Sequence, residues 1–320
     1  MIRRFYVMPV KPGVTEDQLR HFIDGLNAAD MFMHGLFDSS AGVDFESRTV
    51  LWEHNFVDEQ SYTGAYMVHP YHAATLDDAL MPDSPLCIMQ DTYVVRYQPP
   101  GAIPRMEQGI RRIVLLNLPE EADTSVIEAL SAPSADVATS AFYPDNIGWV
   151  SFKGRAWTHV WEQGFTDTDA LNRYLRTREG IASSSLEALK RAGVAVKAHK
   201  ILTCPFQLKP AQSPPELSDD VPIFYTITAR TALEDVGVYI ELLESLYDPY
   251  VSEAGGKLLH RWRTVEGGYP EAEVHSTWEL KSVAAYNDLR WKLETERWQR
   301  FVTQAMPLVK GGTRRFYRAV

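Results

Sequence analysis

Short apolar, β-rich runs alternate along this chain with longer stretches of helical periodicity. The first run, residues 5–10, is stopped by Lys11-Pro12-Gly13. Thr15 then precedes Glu16 and Asp17, with Gln18 three residues on, which is the pattern of a capping box with acids in the first turn. Leu19, Phe22, Ile23 and Leu26 follow at helical spacing. Residues 35–47 are rich in Gly and Ser and leave room for at most one strand. Residues 48–56 predict the next strand, and residues 58–67 a second helix. Pro70 restarts that helix, because Pro is tolerated at a first helical position. Residues 92–98 predict a last strand. The order is β-α-β-β-α-β, the split βαβ unit of ferredoxin-like folds.

The same pattern recurs. Trp52-Glu53, Trp161-Glu162 and Trp278-Glu279 each close an apolar run and lead into a helical stretch with a Tyr. The period is about 110 residues, the size of a small domain, so tandem copies are expected rather than a solenoid. Ile2-Arg3-Arg4-Phe5 opens the first copy, Ile110-Arg111-Arg112-Ile113 the second and Ile223-Phe224-Tyr225-Thr226-Ile227 the third. Pro-rich stretches at 98–104 and 209–222 read as linkers. The expected fold class is α+β, with three ferredoxin-like units at residues 1–102, 103–212 and 213–320. Each unit exposes one sheet face that must be covered. Copies one and two can cover each other within the chain. The third predicts a homodimer, because two-fold contacts between like surfaces are the commonest solution. In the Trp-Glu pairs, Trp is expected to pack under the helices and Glu to face the barrel or a charged partner.

Composition narrows the function. The chain has 320 residues, 45% of them hydrophobic, and a formal net charge of −10. That charge disfavours nucleic acid as a partner. No apolar run approaches the roughly 20 residues that span a bilayer, so no membrane partner is expected. Nor does the N-terminus develop the apolar region of a signal peptide. Cys87 and Cys204 fall at non-equivalent places and read as buried, reduced thiols, which suits a cytoplasmic location. Glycine-rich nucleotide loops, zinc-spaced cysteines and the G-x-S-x-G elbow are missing from the sequence.

Lys11-Pro12-Gly13-Val14-Thr15 and Tyr66-Met67-Val68-His69-Pro70-Tyr71-His72 resemble the stress-responsive dimeric α/β-barrel family, whose best landmark is His-Pro-x-His. The second copy resembles it through Thr158-His159-Val160-Trp161-Glu162 and Tyr174, but reads Thr177-Arg178-Glu179-Gly180 at the motif. The third looks like the related NIPSNAP branch, through Ala284-Ala285-Tyr286 and residues 296–301, with Trp298 where the second His would fall. Members of this family include a polyketide cyclase that closes rings by aldol chemistry without a cofactor. The resemblance carries its catalytic Tyr and His onto Tyr66 and His72. It carries a strand His onto His159 and a first-strand His onto Arg4.

Tyr66, His69 and His72 lie three residues apart in turn, a helical spacing. A His with a near-neutral pKa moves protons, and a Tyr hydroxyl steadies an oxyanion. The expectation is a cofactor-independent lyase, cyclase, isomerase or decarboxylase acting beside a carbonyl of a small aromatic or polyketide-like substrate. His72 would be the base and Tyr66 the oxyanion donor. Arg4, His69, His54, Tyr93 and His159 would contact substrate, although His54 also reads as a surface His at a strand end. His275 would line a cavity of the third copy. Two alternatives stand beside this: a non-catalytic ligand-binding or stress protein, and a haem-dependent lyase or oxygenase. No metal is expected, since His69 and His72 lack a third ligand at a convincing spacing.

Overall fold

A computed structural model describes residues 1–33, 35–66, 69–77, 79, 86–87, 91–99, 105–132, 134–144, 157–208, 221–265, 271–291 and 296–319. Most of the two expected linkers, at 100–104 and 209–220, lies outside the described residues, as do Met67 and Val68 of the family motif. Among the described residues, three four-stranded antiparallel sheets organise the chain. The fold is α+β, as three ferredoxin-like repeats require. The chain divides into two compact units. One comprises Met1–Met31, Gly35–Tyr62 and Leu86–Gln212; the other comprises Phe32–His34, Thr63–Pro85 and Ser213–Val320.

The first unit holds two sheets. One contains β1 (Ile2–Pro9), β2 (Leu36–Val43), β3 (Thr49–Phe56) and β4 (Tyr93–Tyr97) in the order β2-β3-β1-β4. The other contains β5 (Gln108–Asn117), β6 (Thr139–Pro144), β7 (His159–Phe165) and β8 (Ala198–Gln207) in the order β6-β7-β5-β8. Lys11-Pro12-Gly13 ends β1, with Gly13 in the left-handed region (φ 87°) that glycine enters without a Cβ penalty. The helix Glu16–Asn27 then starts on the expected capping box: Thr15 Oγ1 accepts from Gln18 N–H (3.2 Å), and Gln18 Oε1 accepts from Thr15 N–H (2.9 Å). Leu19, Phe22 and Leu26 form its buried stripe.

The two sheets of this unit pack face to face, as the repeats predict. Phe5, Val7, Leu51, Tyr93, Val95 and Tyr97 from one meet Ile113, Leu115, Val160, Leu202 and Cys204 from the other in one core. The barrel closes where β2 meets β8. There Thr203 N–H donates to Asp44 Oδ1 (2.6 Å), Phe45 N–H to Thr203 O (2.8 Å) and Gln207 N–H to Ser40 Oγ (3.3 Å). Apolar residues on the opposite sheet faces, such as Val114, Leu116 and Trp161, pack with Ile127 and Leu189 under the helices. Period-two alternation thus sorts each strand into a barrel side and a helix side.

In the second unit the sheet contains β9 (Ile223–Ala232), β10 (Lys257–Arg263), β11 (Glu271–Leu280) and β12 (Val309–Tyr317), ordered β10-β11-β9-β12. Its helix-side core includes Tyr225, Tyr250, Val251, Val274, Trp278 and Phe301. Ala73 belongs to the same core. The helical segment after Tyr62 therefore packs within this unit, although residues 1–102 read as one repeat.

The signature tryptophans are the largest fully buried side chains of their sheets. Each indole N–H has a partner: Ser39 Oγ for Trp52 (2.8 Å), Ser140 Oγ for Trp161 (3.1 Å) and Asp248 Oδ1 for Trp278 (3.0 Å). This satisfies the one polar group a buried Trp carries. Among the described residues no helix is long and apolar enough to cross a membrane.

Candidate functional site

Tyr66 and His72 come together. Tyr66 ends a π-helical turn, Ser61–Tyr66, and His72 ends the short α-turn Pro70–His72, which runs into a second π-helical turn, Ala73–Asp77. The rings meet edge to face with centroids 4.4 Å apart. Both side chains are buried, Tyr66 completely and His72 to 4% exposure. Single-turn π segments recur at functional sites because they re-aim side chains out of helical register. His69 stands just before Pro70 in an extended conformation, and its Nδ1 accepts the Tyr71 N–H (3.1 Å). It is thus the N-cap of the turn that carries His72. Tyr71 stacks on Phe32 (4.5 Å, 13°) within the same unit.

The other expected residues lie in the first compact unit, in three places. Arg4 and His54 are register partners on the helix side of the first sheet, and Arg96 flanks Arg4 on β4. Tyr62 gathers this group. Its ring lies 5.2 Å from the Arg4 guanidinium and 5.1 Å from that of Arg96, and its hydroxyl accepts from Arg96 Nη1 (2.7 Å). His54 does not sit at the surface. It is fully buried between Trp52 and Phe56, because β3 continues past it and its side points under the helices. Tyr93 points the opposite way, into the barrel, where burial pushes its hydroxyl pKa upward and the Lys200 ammonium lies 5.5 Å from its ring. His159 begins β7; its Nδ1 is 2.9 Å from Thr158 Oγ1 and its ring stacks on Phe142. Tyr93 and His159 therefore join neither each other nor the Arg4–His54 group.

The second repeat shows what became of the Arg4–His54 position. Arg112 and Gln163 stand there as register partners. Arg112 is almost wholly buried, donates to Gln163 Oε1 (2.5 Å) and Ser183 O (2.9 Å), and has a pKa pushed down by that burial to about 10. Tyr174 and Ser183 complete a closed hydrogen-bonded plug.

The barrel interior holds buried charges as well. Arg3 Nη2 donates to Glu53 Oε2 (2.6 Å) and to Glu162 Oε2 (2.7 Å). Arg111 Nε donates to Glu53 Oε1 (3.1 Å), and the Tyr97 hydroxyl to Glu162 Oε1 (3.1 Å). Burial disfavours the Arg3 charge, but Glu162 and Glu53 outweigh it and hold its pKa above the ordinary value. The signal was present in the sequence, as the paired Ile-Arg-Arg openings and Trp-Glu closings. Glu faces the barrel and a charged partner, as alternation predicts.

On the third sheet, His275 is clamped by hydroxyls: Thr228 Oγ1 is 2.9 Å from its Nδ1 and Thr277 Oγ1 is 3.5 Å from its Nε2. Its ring lies 5.1 Å from Trp262, which lies 3.9 Å from His260. Among the described residues no three His, Cys, Asp or Glu side chains gather as metal ligands.

No family model matches this chain, and no curated protein matches it. Solved structures similar to it include a NIPSNAP family protein from Agrobacterium tumefaciens, at 20% identity over 31% of this chain and 87% of that one, with a TM-score of 0.28. An anthrone oxidase-like protein aligns over 67% of this chain and 94% of its own, at 11% identity and a TM-score of 0.45. A putative monooxygenase from Lactobacillus acidophilus aligns over 65% and 91%, at 12% identity and a TM-score of 0.24.

Proposed function

We propose that this protein is a cofactor-independent enzyme of proton transfer beside a carbonyl, with Tyr66 and His72 as its acid–base pair. The observation that carries the reading is the buried edge-to-face contact of the two rings, 4.4 Å between centroids, held between two π-helical turns. One small substrate spans both groups at that separation. The His72 imidazole takes a proton from the carbon next to the carbonyl, and the Tyr66 hydroxyl donates a hydrogen bond to the oxygen as charge develops there. Returning the proton to another carbon isomerises the substrate; carbon–carbon cleavage or closure at the enolate gives lyase or cyclase chemistry. His69 serves as a positioning residue, since its cap fixes the turn that presents His72. The pair is itself buried and aromatic, which suits an aryl ketone or a polyketide-like β-dicarbonyl.

The test is exchange of α-protons in D2O, followed by NMR for a panel of aryl ketones and β-dicarbonyl compounds. The purified protein is expected to accelerate exchange for at least one. His72→Ala and Tyr66→Phe should each lower that rate by roughly 10²- to 10⁴-fold with the circular dichroism unchanged. Equal rates in His72→Ala and the parent protein would refute the assignment, as would the lack of exchange across the panel.

A further inference from the structure

The closing strands of the first unit, β4 and β8, differ at one equivalent place. Val7 and Leu115 each stand four residues after the first arginine of their Ile-Arg-Arg openings. Tyr93 pairs with Val7, and Lys200 with Leu115. The place that carries a phenol in one repeat therefore carries an amine in the other. Both side chains point to the barrel side, since Val95 and Leu202, two residues on, lie in the core between the sheets. They meet there: Lys200 Nζ lies 5.5 Å from the centre of the Tyr93 ring.

Three observations mark this place as a site. Tyr93 is only 9% exposed, and among the described residues its hydroxyl has no hydrogen-bond partner. Buried hydroxyls are nearly always bonded, so an oxygen from outside the chain is the partner that fits. Next, the amine is reachable, because Lys200 and Trp157 are both half-buried. The Trp157 ring lies 6.1 Å from that of Tyr93, so the walls are aromatic, and the floor is the dry core of Leu51, Leu115 and Val160. Last, two carboxylates, Asp44 and Asp91, act on the amine. Asp44 is held in place by Thr203 N–H (2.6 Å), Ser47 N–H (2.9 Å) and the Ser47 hydroxyl (2.7 Å), all of which donate to it. Burial lowers the Lys200 pKa against these two carboxylates, which raises the share of neutral amine.

We propose that Lys200 is a nucleophile that captures a small aryl aldehyde as an imine, with the aldehyde oxygen on the Tyr93 hydroxyl. The neutral amine adds to the carbonyl carbon, and one N–H proton passes to the oxygen to give a carbinolamine. The second N–H proton leaves with that oxygen as water, and the C=N bond forms. Burial keeps the Tyr93 hydroxyl protonated, so it donates a hydrogen bond to the oxygen as charge develops there. Asp44 steadies the positive charge that grows on nitrogen as the C–N bond forms. The aromatic walls favour an aryl group over an alkyl chain.

The experiment is reductive trapping. The full chain is incubated near neutral pH with benzaldehyde and sodium cyanoborohydride, then digested and mapped by mass spectrometry. Lys200 should gain one benzyl group at least about tenfold faster than any other lysine, the advantage of an oriented carbonyl over a chance encounter. Tyr93→Phe should slow this adduct roughly tenfold with the circular dichroism unchanged. Lys200→Arg keeps the positive charge and should remove the fast adduct altogether. Benzaldehyde has no α-proton, so the exchange chemistry of Tyr66 and His72 cannot supply this signal. Labelling of Lys200 no faster than that of the other lysines overturns the proposal from the parent protein alone, whether or not the variants fold. An unchanged rate in folded Tyr93→Phe overturns it as well.

Discussion

Arg3 of the first sheet and Glu162 of the second meet at 2.7 Å across the barrel, and Arg111 and Glu53 repeat the contact in the opposite direction at 3.1 Å. All four side chains are buried. A buried pair gains much from its partner and loses heavily when that partner goes, because the remaining charge stays desolvated. Glu162→Gln should therefore destabilise the protein by about 3–5 kcal/mol in urea unfolding. The double change Arg3→Met/Glu162→Leu should cost clearly less than the sum of the two single changes. Additive costs would show that the pair is not coupled.

Trp161→Phe should cost about 1–3 kcal/mol, because it removes the indole N–H that Ser140 accepts and leaves a small void. Ala at the same position should cost about 3–5 kcal/mol. Chemical denaturation distinguishes these values, and near-equal costs would place the whole effect in the hydrogen bond rather than in packing.

His69→Ala removes a cap and should destabilise the protein by about 1 kcal/mol, whereas His69→Asn, which keeps an acceptor, should cost only a few tenths. If His69 contacts substrate directly, His69→Asn should lose activity as severely as His69→Ala. If it acts only through the turn that carries His72, activity should follow stability and return with Asn.

Burial pushes the Cys87 thiol from its ordinary 9.0 up to about 12. The protonated form is then favoured by the fold, so its contribution is fully present below pH 9 and is lost between pH 9 and about 12, where only the unfolded chain ionises. Native protein at pH 8 should resist a thiol-alkylating reagent at both Cys87 and Cys204, and both should react on unfolding. Rapid labelling of either in the native state would contradict the burial.

His199 tests the acid side. Its pKa is held below the ordinary value, mainly by burial, against a hydrogen bond donated to the Ser183 backbone that raises it. A depressed His stabilises the fold above the unfolded pKa of about 6.5, and that stability is lost as pH falls toward the folded value. His199→Gln should flatten the decline in melting temperature below pH about 6.5; an unchanged acid limb would rule His199 out as its source.

Much of the architecture was legible in the order of residues. The capping box at Thr15, the Trp-Glu strand ends and the Ile-Arg-Arg openings each rest on local rules, and each reappears as a contact in the structure. The candidate site was legible only where it is local, in the close spacing of Tyr66, His69 and His72. His54 was misplaced because a strand position with polar neighbours looks exposed, while its burial depends on a helix-side layer assembled from distant residues. Arg3 and Arg111 were read as landmarks rather than as interior charges, since their partners lie on another repeat and no local pattern links them. Tyr62 and Arg96 went unnoticed for the same reason.

Joining two repeats in one chain lets each side of the barrel change alone. When like chains associate, every substitution occurs twice and must suit both halves. Here Asn55 accepts from Arg3 Nη1, while the matching place beside Arg111 is Gly164. A side chain at Gly164 would collide with Thr139, whose hydroxyl instead takes the bond from Arg111. His54 and Gln163 have parted in the same way. Covalent linkage has thus let the first repeat keep a titratable group where the second sealed the position with an amide.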